Sequence, residues 1–521
     1  MNSRKTKRII KKGKRGLIRI IFSRVGIISL LFLLNLSILI SAGYYLSRYI
    51  RGIYWLYFAI RVIFAIIIFN SSSNPSSKLT WLLIVSSLPL FGPMLYIYVK
   101  SDIGHRAIIH RMDSLDKVSS SLIAQDEDVK AEFSEADRNA STLQHYVETK
   151  GGFPIYRNTE TEYYPIGEAL FERMLIELRK AESFIFVEYF IIGEGEMWSQ
   201  ILEILKEKAA AGVEVRLMYD GFCEFSTIPR SYPEKMNKLG IKTKPFSRLQ
   251  PFVSTLYNYR DHRKIMVIDG RTAFTGGVNL ADEYINREVR FGHWKDCGIC
   301  IRGEAVKSMT LLFLKLWNLT ERQPEFERFL DGCKDERCSD GFIMPYGTCP
   351  LEEDRLGEMV YIDMINRAAE SVRIMTPYLV LDGEMQTAIT FASERGVDVE
   401  IILPGIPDKK AVYALAKTHY KALVSAGVSI YEYTPGFIHS KCLTADGKEG
   451  VVSSINFDYR SLYHHFECGV YMHGSSSIAA IDQDFEETKA KCRKVTMDTI
   501  KHEKKLTKAV GMVLKQFAPL L

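Results

Sequence analysis

His262-Arg-Lys264-Ile-Met-Val-Ile-Asp269, with Gly276-Gly277-Val-Asn279 behind it, recurs later in the chain as His439-Ser-Lys441-Cys-Leu-Thr-Ala-Asp446, with Ser453-Ser454-Ile-Asn456 behind it. A lone His-x-Lys is noise, because it needs only two residues. His, Lys, Asp, two small residues and Asn, all repeated at one fixed offset, form a duplication that carries chemistry. The surroundings repeat as well. Ser183–Ile192 and Val372–Val380 are short apolar strand candidates. Gly212–Asp220 and Gly396–Pro404 read as buried strands, each preceded by a helical stretch, Trp198–Ala211 and Glu384–Arg395. Helix–strand alternation of this kind predicts an α/β fold of two duplicated halves.

The spacing within the motif indicates its use. Residues i and i+2 of a strand share a face, so His262 and Lys264 point one way, as do His439 and Lys441. Asp269 and Asp446 fall at the strand ends and join the catalytic set as charge partners or braces. The small residues before Asn279 and Asn456 permit close backbone approach, and an Asn amide donates hydrogen bonds. Two such half-sites face to face would hold two His, two Lys and two Asn around one centre. A cationic, donor-rich pocket of this kind suits a phosphate. No Gly-rich nucleotide loop or carboxylate cluster for Mg²⁺ accompanies the motifs, so the expected site uses neither cofactor nor metal. One neutral imidazole would attack phosphorus and form a phosphohistidine. The other would serve the leaving and incoming alcohols as acid and base.

Composition bounds the remainder. A chain of 521 residues allows two or three domains. With 47 % apolar and 25 % charged residues it is neither disordered nor a disulfide scaffold. Residues 1–24 hold ten Lys/Arg and no Asp/Glu, so the formal charge of +6 becomes −4 once that tail is set aside. A broad nucleic-acid-coating face is therefore not expected. The nine cysteines are odd in number and lack compact paired spacing, which suggests reduced thiols. Cys297-Gly-Ile-Cys300 lies in an alternating stretch, Asp296–Ile301, that reads as a strand. With no second pair at zinc spacing, buried thiols are the expectation.

The front of the chain reads as membrane. Val25–Ser47 and Leu79–Val99 are runs without a single charge, each long enough to cross a bilayer. Between them Ile53–Phe69 is apolar apart from Arg61. The basic tail predicts a cytoplasmic N-terminus. Three spans would place the remainder outside; two spans and a re-entrant segment would keep it inside, the side the cysteines favour. The expected layout is a basic tail with transmembrane segments (1–100), a helical connector (101–148), a first half (149–325), a linker (326–348) and a second half (349–521). The tail Met497–Phe517, amphipathic and carrying five lysines, either touches anionic lipid or packs on the domain. Cys223–Tyr259 reads as loop-rich.

The paired motifs resemble those of the phospholipase D superfamily and, within it, the bacterial cardiolipin synthases. The resemblance extends over Arg260–Tyr284, Phe291–Asp296, Glu432–His439, Asn456–Ser461 and the final Pro519-Leu-Leu521, and in the apolar front over Trp81, Pro89, Gly92 and Tyr96. It implies two phospholipase D-like α/β halves around one shared site, and a multi-pass cell-membrane enzyme with its catalytic domain on the cytoplasmic face. The implied reaction converts two phosphatidylglycerol molecules into cardiolipin and glycerol. His262 is the implied nucleophile and His439 the implied acid/base. Asn279, Asn456, Asp296 and Glu467 are implied to complete the substrate-binding set, the two carboxylates each facing the histidine of the other half. A phospholipid hydrolase and a non-catalytic lipid-binding scaffold are the alternatives. Two departures from the family pattern stand out: Ser453-Ser454 in place of a pair containing Gly, and His465 where Asn is usual.

Overall fold

The computed structural model describes residue 37 and residues 50–88, 90–100, 106–119, 121–248, 259–330, 340–352 and 354–520. The chain forms two compact units, one up to Ala107 and a larger one running from Ile108 to Pro519 apart from 249–256.

In the N-terminal unit, helix Ile50–Phe69 is followed by Pro75–Ser87 and Phe91–Lys100. The run 79–99 is therefore two helices rather than the single span expected. Leu88, which precedes a proline, has left the helical region at φ −125° and ψ 84°. The second helix then folds back so closely that a Cβ on Gly92 would meet Val85 Cα at 2.7 Å. Trp81 and Tyr96 pack edge to face across this hairpin, with ring centroids 5.2 Å apart. Among the described residues no helix is long and apolar enough to cross a membrane. Nearly all of Val25–Ser47 lies outside the described residues. Many apolar side chains of this unit are exposed, including Trp55, Phe58, Ile63, Ile66, Phe69, Leu79, Met94 and Ile97.

The larger unit contains the duplication. In its first half the strands are β1 (Thr159–Tyr164), β2 (Phe184–Tyr189), β3 (Glu214–Asp220), β4 (Ile241–Phe246), β5 (Arg260–Asp261), β6 (Lys264–Ile268), β7 (Thr272–Gly276), β8 (His293–Lys295) and β9 (Gly298–Gly303). The second half supplies β10 (Phe342–Thr348), β11 (Ser371–Met375), β12 (Leu379–Val380), β13 (Asp398–Pro404), β14 (Ser429–Tyr433), β15 (Gly436–Ile438), β16 (Cys442–Ala445), β17 (Glu449–Ser453), β18 (Phe457–Asp458), β19 (His465–His473) and β20 (Cys492–Lys494). One sheet runs β1-β9-β7-β6-β2-β3-β4; the other runs β10-β19-β17-β16-β11-β13-β14-β20. Strand for strand the two orders are the same, with β20 added at one edge. Both are antiparallel as far as β2 and β11 and parallel beyond, until β20 closes the second sheet antiparallel.

The inner faces of both sheets contribute to one hydrophobic core, with Phe186, Val267 and Ile299 from the first and Ile374, Val451 and Val470 from the second. Helix Val306–Trp317 is apolar almost all round and ten of its twelve residues are buried, as a helix enclosed on all sides requires. The expected connector is helical, with Arg106–Ser119, Glu127–Ala136 and Arg138–Gly151. It is also part of the core: Phe133 is fully buried and packs on Phe342 at 4.9 Å. The linker boundary needs correction, because Phe342–Thr348 is the edge strand β10. Its Pro345 weakens the strand signal in sequence, yet is tolerated at a sheet edge, where among the described residues the strand meets, beyond β19, only an isolated bridge from Ile343 to Tyr156. Cys223–Tyr259, expected as loop, contains two short helices and β4. Cys297 and Cys300 are free, buried thiols, as expected.

Candidate active site

Two cross-half pairings build the site. β5 pairs in parallel with the start of β19, and β15 pairs in parallel with β8. Each thereby carries the start of one motif onto a strand of the opposite half. The backbone N–H of His262 donates to Phe466 O at 2.9 Å, and that of His439 donates to Lys295 O at 2.6 Å. The next residues along those partner strands are Glu467 and Asp296. His262 Nδ1 lies 2.8 and 2.9 Å from the two Glu467 oxygens, and His439 Nδ1 lies 2.7 Å from Asp296 Oδ2. Each imidazole is thus oriented by the other half's carboxylate. With Nδ1–H donating to the carboxylate, the Nε2 lone pair is left for chemistry.

Lys264 and Lys441 are fully buried beside them, and each Nζ donates to the carbonyl of its own motif's histidine at 2.5 Å. Lys441 Nζ also stands 2.9 and 3.2 Å from the two His439 ring nitrogens. The Asn pair is asymmetric. Asn279 Nδ2 donates to Tyr284 Oη at 2.8 Å and its Oδ1 accepts from Ile191 N–H at 3.1 Å, whereas Asn456 is buried with its Oδ1 unpartnered among the described residues.

Asp269 and Asp446 do not join this cluster. Each sits at the far end of its strand, roughly 16 Å from the Lys of its motif at about 3.3 Å per residue. Each begins a three-residue hairpin loop, 269–271 or 446–448, whose first two residues have positive φ: Asp269 52° and Gly270 63°, Asp446 54° and Gly447 62°. This is the primed turn that suits the twist of a β-hairpin. Asp269 accepts from the N–H groups of Glu182, Ser183 and Phe184 at 2.7–2.8 Å. Asp446 accepts from Ala369, Glu370 and Ser371, each at 2.8 Å. Of the two roles expected, charge partner or brace, these contacts support the brace, and among the described contacts neither carboxylate reaches the His–Lys cluster with which it was grouped as catalytic.

Burial dominates the electrostatics. It pushes His262 and His439 well below the usual imidazole range, and the charges of Lys264 and Lys441 act on both in the same direction. Lys264 is pushed down to about 7 by burial, against the pull of Glu467. Lys441 is lowered likewise. Burial pushes Asp296 up to about 7 and Glu467 up to about 8, although the neighbouring lysines oppose this. Every one of these shifts disfavours the charged form of a buried group. An anion entering between the lysines would reverse the shift on both.

The departures noted in sequence now have contacts. Ser454 Oγ donates to Glu467 Oε2 at 2.5 Å, and Ser453 Oγ is hydrogen-bonded to Tyr361 Oη at 2.7 Å. Gly277, the counterpart of Ser454, has no room for a side chain, since a Cβ there would collide with Asp296 Oδ1. His465 and Glu467 come within metal-ligating distance of His262, but burial and then the charges of Arg460, Lys264 and Arg260 act on His465 and oppose a cation there. Asp137, Glu449 and His473 form a second such cluster elsewhere. Four contributors were not assigned a role from sequence. Arg263, the variable residue of the first motif, donates across the halves to Glu467 O and Thr348 O, and also to Leu312 O. Tyr284, Trp294 and Phe437 wall His439, with ring centroids 5.4–5.8 Å away. Their aromatic character was visible, but not where they point.

Comparison with known proteins agrees with this geometry. The family model described as "Cardiolipin synthase, PLD-like domain" matches residues 174–310 and 361–489, which brackets both motifs. The chain belongs to the cardiolipin synthase family of phospholipase D-like proteins. A second model, "Phospholipase_D-nuclease N-terminal", matches residues 53–100. Within this family, a cardiolipin synthase of Halalkalibacterium halodurans is 31% identical over 88% of this chain and 92% of its own. One of Alkalihalophilus pseudofirmus is 29% identical over 96% and 100%. An uncharacterized protein of Streptococcus mutans is 49% identical over 87% of this chain and 98% of its own. The solved structure of Haemophilus influenzae phosphatidylserine synthase shares the fold, with a TM-score of 0.55, 15% identity and coverage of 73% of this chain and 98% of that one.

Proposed function

We propose that the protein is a membrane-bound cardiolipin synthase that moves a phosphatidyl group from one phosphatidylglycerol to another through His262. One observation carries the reading: each histidine is oriented by a carboxylate of the opposite half, so the duplication makes one two-histidine site. The bound anionic phosphodiester offsets the charges of Lys264 and Lys441, so that His439 takes up a proton from solvent; His262 Nε2 then attacks phosphorus, the N–P bond forms, and the P–O bond to glycerol breaks as protonated His439 gives that proton to the departing oxygen. The hydroxyl of a second phosphatidylglycerol then returns a proton to His439 while its oxygen takes phosphorus from His262. Electrons and protons balance with no further reactant. The assignment of His262 as nucleophile is supported by Lys441, whose Nζ crowds both ring nitrogens of His439. Among the described contacts the ring of His262 carries no lysine. Lys264 and Lys441 neutralise the phosphoryl oxygens.

The described surface favours a lipid interface. The N-terminal helices expose an extended apolar surface, which in a soluble protein is uncommon. Helix Lys505–Lys515 leans on helix Lys410–Ser425 through Gly511, where a Cβ would collide with Ala414 O. It leaves Leu506, Val510 and Val513 exposed among lysines, the arrangement of a helix lying on an anionic membrane. The catalytic unit is then a multi-pass protein's cytoplasmic domain, with anionic phospholipid rather than nucleic acid as its partner. Incubation with labelled phosphatidylglycerol, beside a His262→Ala control, tests the reading. Cardiolipin plus glycerol, absent in the control, is expected. Phosphatidic acid plus glycerol would make the protein a hydrolase instead, and lipid binding without turnover would make it a scaffold.

A further inference from the structure

His465 occupies an unusual position. It is buried, and among the described residues neither ring nitrogen has a hydrogen-bond partner. A buried polar group in that condition calls for an explanation. Its ring centroid lies 5.2 Å from that of His262, tilted by 37°. A ring nitrogen of each and an oxygen of Glu467 all fall within 4.8 Å of one another. Its Nδ1 is 3.5 Å from Glu467 Oε1 without a hydrogen bond.

The duplication supplies a second, independent observation. Gly298 pairs with Gly276 and Gly469 with Ser453, so β9 and β19 correspond at one constant offset. At that offset Asp296 matches Glu467, and Trp294 matches His465. Trp294 is also buried, lies 5.5 Å from His439 ring to ring, and has an Nε1–H without a partner among the described residues. Each catalytic histidine is therefore flanked by a buried ring nitrogen, two residues ahead of its orienting carboxylate. Indole offers only a donor, and imidazole can offer one. A ring N–H is what the two positions share. Asn279, the donor expected from the motif, already spends an amide hydrogen on Tyr284.

We propose that His465 and Trp294 are catalytic residues, each donating a ring N–H to the phosphoryl oxygens while phosphorus is held between His262 and His439. The proposal rests on the phosphatidyl-transfer reading. The ring of His465 stands alongside that of His262, 5.2 Å from centroid to centroid, so a phosphoryl group carried on His262 would lie next to it. Among the described residues neither donor has a hydrogen bond to give up, which leaves both available to the developing charge.

The test compares His465→Asn, which keeps a donor, with His465→Phe, which keeps a ring and loses it, and adds Trp294→Phe. Melting temperature is measured for each full-length protein in detergent. With phosphatidylglycerol, His465→Phe and Trp294→Phe should lower kcat about 10- to 100-fold with KM changed less than about threefold, the range for lost oxyanion donors. His465→Asn should stay within about threefold of wild type. Orthovanadate, as a phosphoryl mimic, should inhibit both Phe variants about tenfold more weakly. Equal losses in His465→Asn and His465→Phe would show a packing role and overturn the proposal. Unchanged kcat and vanadate inhibition in the Phe variants would do the same. Absence of phosphatidyl transfer by the wild type would instead sink the functional reading, and direct binding of vanadate to the three variants would still decide the role of the two donors.

Discussion

Replacing Asp446 by Asn separates a brace from a catalyst. The carboxylate accepts three backbone N–H groups and sits at φ 54°. Asn tolerates that backbone region, so the turn itself is not strained. Oδ1, which takes two of the three bonds, is preserved by an amide oxygen; the third N–H, of Ala369, would then face an amide NH₂. Leaving one donor unsatisfied costs about 1–3 kcal/mol, and partial exposure argues for the lower half of that range. A loss of about 1–2 kcal/mol corresponds to a fall of roughly 1–2.5 °C in melting temperature for a unit of this size. The carboxyl feels a burial penalty, but the three N–H groups outweigh it and hold the group below its ordinary range. A lowered folded-state pKa stabilises the fold above the unfolded value, and that contribution is lost as pH falls through the folded value. The gap between wild type and Asp446→Asn should therefore be full near pH 7 and close below about pH 4. Thermal unfolding across pH, with kcat per folded enzyme, is the assay. The bracing account expects a lower melting temperature and kcat within about twofold. A loss of 100-fold or more in kcat at unchanged melting temperature would refute it and restore Asp446 to the chemistry.

Other outcomes follow from the same contacts. Gly277→Ala places a Cβ against Asp296 Oδ1 and His439 O; it should displace Asp296 and lower kcat about 100-fold or more, seen in steady-state turnover. Glu467→Gln replaces one of the two oxygens facing His262 Nδ1 with an amide NH₂ and should cost about 10²–10³ in kcat, while Ser454→Gly, which removes one hydrogen bond to that carboxyl, should cost far less. Phosphate binding should be accompanied by proton uptake at pH 8. Lys264, at about 7, is largely neutral there, and an adjacent anion raises its pKa so that it gains a proton. Calorimetry in buffers of different ionisation enthalpy reads the sign, and proton release would contradict it.

The motif repeat made the two halves and both histidine–lysine pairs legible, because strand periodicity and a fixed offset are local properties. The orienting carboxylates do not share the motifs' offset. Asp296 and Glu467 are spaced more closely than the two histidines and differ in side-chain length, so only the family resemblance pointed to them. The structure places each on the histidine of the other half, where the resemblance put it. The Asp of each motif looked catalytic because it is spaced with His and Lys; its role is set by a turn geometry that composition does not display. Arg263 reaches across the halves and Ser454 holds the carboxylate that does, and contacts between segments so distant in the chain leave no periodic trace. The run 79–99 is uniformly apolar, and hydropathy alone does not register the fold-back that Gly92 permits.

The central claim is that phosphorus passes through His262 in a site both halves complete. A phosphatidyl ester of p-nitrophenol, whose leaving group needs no acid, tests this with the His439→Asn variant. Rapid quenching at alkaline pH and peptide mass spectrometry locate the adduct. The account predicts a stoichiometric burst of p-nitrophenol and a phosphatidyl group on the His262 peptide, which persists because the acceptor is no longer activated. No burst and no adduct in His439→Asn, or an adduct on His439 in the His262→Asn variant, would contradict it.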